Sequence, residues 1–508
     1  MIGKVLAISV SGMLMVLAAD ATAAAEFYVD PDFGGQGQNG SPDKPWNSIR
    51  GAEAWQAINA ALSKGPVTVY FSARQADVDQ PQTIREFVEC RRSDASTNRL
   101  TLDGMSKYNT NDREPAWIDY SGPHVSCITD QKGQRALGWE MGSVSSPKQN
   151  YVTIRGFECT GPGARVGFAG DHVVFEHLYI HDVTEIGPGI LVFGTFKGKD
   201  GQVKRVMDEC TDMTIRDCRI ENVYGEGIYV GCLYHFWLKE AAFRKSIGNE
   251  HSNVTIERVV IKNTGVGGGQ GDGIDFKVGI TNIVVRDCDI SGVTGMAGII
   301  LSSSVIEGVD QNILVERCHI HDAAPSGEAR RAIYAGAGPI LGYRGLTIRN
   351  CVVNAMRQGI TVYKSDPNGK VSDVTAVNNT VYDVKAAGLV VQADNAVVVN
   401  NLLFDNDGGK MQAFVSGENM RSDYNAYQGA LRSPAEGKKT IVLTEQQKRQ
   451  LKARLANKSL TLPSADAVVD KGAALDGFSD DILGTTRPQG TAWDIGAYEY
   501  ARPPEKDD

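Results

Sequence analysis

Four residues on two short glycine-bounded segments could do chemistry together: Glu226 in YGEGIYVG, and Asp272, Asp275 and Lys277 in QGDGIDFK. Clustered carboxylates hold a hard cation through oxygen, and calcium is the natural one, so Glu226, Asp272 and Asp275 form a candidate metal set. A lysine beside them can serve as a general base. Carboxylates this close repel unless a cation, a shared proton or an ammonium group offsets the charge. The alternative is that Lys277 only pairs with Asp275 on a solvated face, which contributes little. The choice depends on whether the two distant segments become neighbours.

The repeat makes them neighbours. From 151 to 406 the chain cycles through NYVTIRGFEC, DMTIRDCRIENV, NVTIERVVIKNT, NIVVRDCDISGV and NILVERCHIHDA, and each is followed by a short second strand such as GIYVG, GIDFK or GIILS. Short β-branched strands of period two, separated by Gly, Asn and Asp turns, predict an all-β solenoid, a parallel β-helix. Aligned on these strands, YGEGIYVG lies one cycle before QGDGIDFK. Glu226 then stacks on Asp272 and Tyr229 on Asp275, with coils about 4.8 Å apart. Alternation turns Ile274 and Phe276 inward, and Asp275 and Lys277 outward. The glycines are expected to shape the turn and leave the patch uncovered.

Two long insertions precede the patch, 194–210 and 231–253, and long loops on a regular scaffold often carry function. The second holds Tyr234, His235, Phe236 and Trp237 with Lys239, Arg244 and Lys245. Aromatic faces can stack on sugars and basic groups can hold acidic substituents, or the aromatics can simply pack the loop. Two cycles beyond the patch, EARRAIYAG sets Arg330, Arg331 and Tyr334 on the same flank, followed by Tyr363 and Lys364.

The repeat also organises the cysteines. Phe157, Leu178, Cys218, Val259, Cys288, Cys318, Cys351, Asn379 and Asn401 fall in one inward column, with cysteine as a small hydrophobe and asparagine as a ladder. Cys159 should face inward too. Cys210 with Cys232, then Cys90 with Cys127, are the candidate disulfides.

Residues 1–23 read as a signal peptide, with Lys4, an apolar run and a small-residue cleavage site. No later segment reaches membrane-spanning length, so the expectation is a secreted or periplasmic monomer. Residues 24–150 should supply an N-terminal cap and first coils, and 407–508 a mixed C-terminal capping segment. In the latter, Thr444 and Gln447 form a capping box that opens a helix. The net charge of −9 argues against nucleic acid. HExxH and GxSxG are absent, and no GxGxxG can be registered within the glycine run GGGQGDGIDFKVG at 267–279. The two IHD tripeptides, at His181–Asp182 and His321–Asp322, occupy equivalent turns and read as repeat structure.

With these segments the chain resembles the right-handed parallel β-helix proteins of the pectate-lyase-like superfamily. The likeness includes YVDPDFGGQGQNGSPDKPWNSI near the start, and SDYNAY and DDILGTTRPQGTAWDIGAYEY near the end. GDGID is similar to the NTDGID of polygalacturonases, without their second aspartate pair, Gly-His-Gly or Arg-x-Lys. Asp272 and Lys277 match the acid and lysine of calcium-dependent polysaccharide lyases, and Asp272 with Asp275 matches most of a DDGxD calcium pattern. The arginine expected one coil later would fall near Ser302, where the sequence has none.

The resemblance implies β-elimination on an acidic, uronate-containing polysaccharide. Calcium would be bound by Glu226, Asp272 and Asp275, and Lys277 would act as base. Asp275 and Arg331 would be in the catalytic group. Tyr229, Tyr234, His235, Trp237, Arg244, Arg330 and Tyr334 would contact substrate. A glycoside hydrolase using Glu226 and Asp272, and a non-catalytic glycan-binding or adhesin-like protein, are the alternatives.

Overall fold

A computed structural model describes residues 24–71, 83–85, 88–93, 95–104, 125–128, 137–138, 149–163, 166–168, 170–185, 187–192, 196–197, 203–204, 210–231, 251–268, 270–277, 280–302, 311–324, 331–337, 342–364, 370–406, 411–429, 431–432, 436–456 and 467–500. The expected signal peptide lies outside these residues.

Each cycle gives one strand to each of three long parallel sheets. Val152–Arg155, Phe157–Thr160 and Val166–Phe168 make one turn, and Val174–Glu176 then lies back on the first strand with Val174 opposite Thr153. Repetition builds sheets of 13, 12 and 13 strands among the described residues, and strand order follows chain order throughout. This is the all-β parallel β-helix that the period-two repeat predicts. Chain reversal at the corners falls on residues in the left-handed region, among them Asp217, Asn253, Asp287, Asn350 and Asn400, with φ between 52 and 59°. Asn and Asp tolerate that region better than most residues, so their recurrence in the sequence marks the corners.

The inward column is as expected, with none of its residues more than 2% exposed from Phe157 to Asn401. Its asparagines satisfy the buried backbone as well as one another. The Asn379 amide donates to Asn401 Oδ1 at 3.1 Å, and the Asn401 amide to Asn425 Oδ1 at 2.9 Å. The Asn401 side chain in turn donates to the Ala376 carbonyl at 2.8 Å.

Cys90, Cys159, Cys210, Cys218, Cys288, Cys318 and Cys351 are buried thiols. The expected bridges from Cys210 to Cys232 and from Cys90 to Cys127 are therefore not formed. Cys210 opens a core strand instead, and Cys90 donates to Gln149 Oε1 at 3.4 Å. The side chains of Cys127 and Cys232 lie outside the described residues.

At the start, the helix Ala52–Leu62 buries Ala54, Trp55, Ile58 and Leu62 against the first coils. Near the end, Glu445–Ala456 is a helix opened by the Thr444–Gln447 capping box, in which the Gln447 amide donates to Thr444 Oγ1 at 3.3 Å. Residues 467–500 then run back along the flank of the solenoid. Asp480 pairs with Arg317 at 2.9 Å, and Asn378 Nδ2 donates to the Asp494 and Gly496 carbonyls at 3.2 Å. Buried Arg487 is held by Glu499 at 2.9 Å. No helix among the described residues is long and apolar enough to cross a membrane.

Candidate functional site

The patch is built on consecutive strands of the 12-stranded sheet. Ile228–Val230 pairs with Ile274–Phe276 so that Tyr229 lies opposite Asp275. Just before these strands the Gly227 amide donates to the Asp272 carbonyl at 3.0 Å, which sets Glu226 one rung from Asp272. Ile274 and Phe276 fill the core, so Asp275 and Lys277 lie on the opposite side of the strand. Glu226, Asp272 and Asp275 each offer a carboxylate oxygen within 4.8 Å of the others. Lys277 forms an ion pair with Asp275, and its Nζ stands 5.1 Å from the centre of the Tyr229 ring.

One expectation fails here. The patch faces outward but is not uncovered: Asp272 and Asp275 are 0% exposed, Glu226 6% and Lys277 9%. The pairing of Lys277 with Asp275 is thus not a solvated surface contact. Burial pushes Asp275 up to about 7, with Lys277 opposing the shift and Asp272 adding to it. Burial likewise raises Glu226 to about 7, again reinforced by Asp272 and opposed by Lys277. Asp272 is also raised by burial, although backbone amides act against the shift.

The glycines have a role other than exposing the acids. Asp272 Oδ1 accepts from the Ala297 amide at 2.7 Å, and Oδ2 from Gln270 Nε2 at 3.2 Å. A Cβ on Gly295 would come within 2.6 Å of that Oδ1, and one on Gly273 within 2.3 Å of the Gly298 carbonyl oxygen. Glycine is required there for close approach of neighbouring coils, which seats Asp272 against the next rung.

The donor set suits a hard cation. All three groups are carboxylates, and apart from the Lys277 ammonium neither oxygen of Asp275 has a hydrogen-bond partner. Like charges at this spacing in a buried site need compensation, and one ammonium group offsets only part of three carboxylates. Glu226, Asp272 and Asp275 could therefore hold calcium, with Lys277 at the edge of the set.

The register extends the site along the sheet. Arg331 lies opposite Ala297, in the column of Glu226 and Asp272 and two rungs beyond Asp272. Tyr334 lies opposite Ile300, which itself lies opposite Asp275. The Arg331 guanidinium covers the Tyr334 ring at 4.4 Å, its buried Nε lacks a hydrogen-bond partner, and Tyr334 donates to Tyr363 Oη at 3.3 Å. Tyr229 is buried beneath Lys277 rather than presented to solvent. Tyr234, His235, Trp237, Arg244 and Arg330 lie outside the described residues. The sequence reading missed that Arg331 shares a column with the acids. Counting two residues back from each inward isoleucine (228, 274, 299, 333) would have found it.

Residues 246–425 match the family model described as a right handed beta helix region. No curated relative matches the chain by sequence. Among solved structures, the chain is similar to the pectate lyase Pel9A at 14% identity, over 95% of this chain and 98% of that one, with a TM-score of 0.48. It is also similar to PfbA, a surface adhesin of Streptococcus pneumoniae, at 12% identity over 80% and 93% with a TM-score of 0.45. XylC in complex with xylose stands at 11% identity over 93% and 98%, with a TM-score of 0.44. The matched segment contains the cycles of Asp272, Asp275, Lys277 and Arg331, and with the three parallel sheets it makes this chain a right-handed parallel β-helix protein.

Proposed function

We propose that this protein is a carbohydrate-active enzyme of the pectate-lyase-like kind, which cleaves a uronic-acid-containing polysaccharide by β-elimination outside the cytoplasm. The observation that carries the reading is the meeting of Glu226, Asp272, Asp275 and Lys277 on adjacent rungs.

Glu226, Asp272 and Asp275 would hold calcium, which when bound supplies charge neutralisation of the substrate carboxylate and acidifies the adjacent C–H. Lys277 is the member of the four with the most exposed surface, and in its free-amine form it takes the proton from C5. The C5–H electrons form the C4–C5 double bond, the bond from C4 to the glycosidic oxygen breaks, and that oxygen takes a proton from solvent water as it leaves. Before it loses its proton, the Lys277 ammonium is held in place by its ion pair with Asp275. Tyr229 provides the floor under it, and Tyr334 offers an aromatic face further along the sheet. Arg331, two rungs on, is placed to hold a second carboxylate of an extended polymer.

The test is product analysis on a panel of uronate polymers with calcium present. Unsaturated products absorbing in the ultraviolet, lost on chelation, are expected. New reducing ends without that absorbance would replace this reading with a glycoside hydrolase. Binding without any cleavage, retained when all three acids are replaced, would replace it with a glycan-binding protein.

A further inference from the structure

A second cluster lies on another sheet. Strand His319–His321 projects both imidazoles to the outside, while Ile320 fills the core. Their rings stack with centroids 4.0 Å apart and planes at 19°. One rung earlier, Asp289 lies opposite His319, and its carboxylate meets both rings: Oδ2 is 3.4 Å from His319 Nδ1, and Oδ1 is 3.2 Å from His321 Nε2.

The far side of each ring is already engaged. His321 Nδ1 lies 2.7 Å from Asp322 Oδ2, and His319 Nε2 lies 2.9 Å from Asn354 Oδ1. Both partners are acceptor oxygens, so each far nitrogen carries the proton. In neutral rings the two near nitrogens then present lone pairs to the Asp289 carboxylate. His321 Nε2 lies within hydrogen-bond distance of Asp289 Oδ1, 3.2 Å, so a proton can bridge that pair, but two stacked rings do not both carry a positive charge without repulsion. One cation at the convergence satisfies all three.

We propose that Asp289, His319 and His321 form a zinc site with a solvent-facing open position. Two histidines and one carboxylate are a common zinc ligand set, and tetrahedral coordination at about 2.0–2.2 Å puts ligand atoms roughly 3.4 Å apart. The two separations above match that spacing. Asp322 and Asn354 are the outer partners that fix ring orientation and tautomer, as metal-binding histidines require. The half-exposed ligands, with Asp289 42%, His319 35% and His321 19% open, leave room for a water or a ligand oxygen.

The solenoid supplies its own control. His181 occupies the same column as His321, four rungs earlier, with Glu158 at 2.9 Å and Asp182 at 2.8 Å. There Tyr179 stands where His319 stands, and its hydroxyl bonds Glu221 instead at 2.5 Å. That copy has one imidazole, hydrogen-bonded to Glu158, and Tyr179 supplies no second ring nitrogen.

The experiment uses the full chain, stripped of metal and saturated with calcium so that the buried carboxylates are not competing. Cobalt(II) is titrated in, followed by its intense four-coordinate visible absorption, and then displaced by zinc. One equivalent is expected, weakened at least tenfold by His319→Tyr and by His321→Ala, and unchanged by His181→Ala. Asp322→Asn should weaken it about tenfold. His319→Tyr reproduces a residue the same scaffold already accepts, and unchanged circular dichroism confirms its fold. No stoichiometric cobalt uptake by the parent protein, or equal uptake by His319→Tyr, would overturn the proposal.

Discussion

Lys277 holds the carboxylate of Asp275 at a place where Asp275 is wholly buried and the lysine side chain keeps only 11% of its surface exposed. Breaking such a pair from one side strands a charge, which typically costs about 3–5 kcal/mol. Lys277→Ala should therefore lower stability by about 3 kcal/mol in calcium-free buffer, since it leaves three converging carboxylates with no cation. Adding calcium should recover most of the loss. Urea denaturation with and without calcium measures both quantities.

Calcium should stabilise the parent protein through the same three acids. At a concentration 100-fold above Kd, linkage gives about 2.7 kcal/mol, which appears as a higher Tm. Asp272→Asn keeps an acceptor for the Ala297 amide but removes a charge, so the calcium-dependent rise should shrink sharply while the calcium-free Tm stays near that of the parent. Calorimetric scans on both proteins check this.

The asparagine ladder gives a test of the scaffold alone. Asn401→Ala removes the acceptor of the Asn379 amide and the donor to Ala376 in the buried interior. Each stranded buried group costs about 1–3 kcal/mol, so a loss of about 2–4 kcal/mol is expected by denaturant unfolding, with no change in calcium uptake.

His181 should make stability depend on pH. Burial disfavours its charged form, but hydrogen bonds with Glu158 and Asp182 outweigh burial, and the folded value lies above the ordinary 6.5. A raised value means that its contribution is fully present below about pH 6.5 and fades as pH rises through the folded value. The stability difference between the parent and His181→Gln should follow that course in unfolding curves taken across pH.

The solenoid was legible because its signal repeats. Each strand alternates, most corners carry Asn, Asp or Gly although Arg258, Arg317 and His177 adopt the same left-handed conformation, and the column from Phe157 to Asn401 lines up by simple alignment. The convergence of Glu226 with Asp272 was legible for the same reason, since register alone places one above the other. Burial was not. Alternation shows which side Asp275 faces, but not what else covers that side. Nor does spacing reveal that Gly273 and Gly295 serve the approach of adjacent coils, because that depends on atoms contributed by the next rung. The disulfide expectation failed on Cys210, which flanks an insertion in sequence and yet opens a core strand. The His319–His321 pair was passed over because HIHD looked like a copy of YIHD; the single change from Tyr179 to His319 is what adds a ligand.

The central claim, that Lys277 is the proton acceptor of a calcium-assisted elimination, is tested most directly by the rate of ultraviolet-absorbing product formation in Lys277→Ala with saturating calcium. General-base contributions are about 100- to 10,000-fold, so kcat should fall by at least that lower factor while calcium binding persists. A variant that retains kcat within a few-fold of the parent would contradict it.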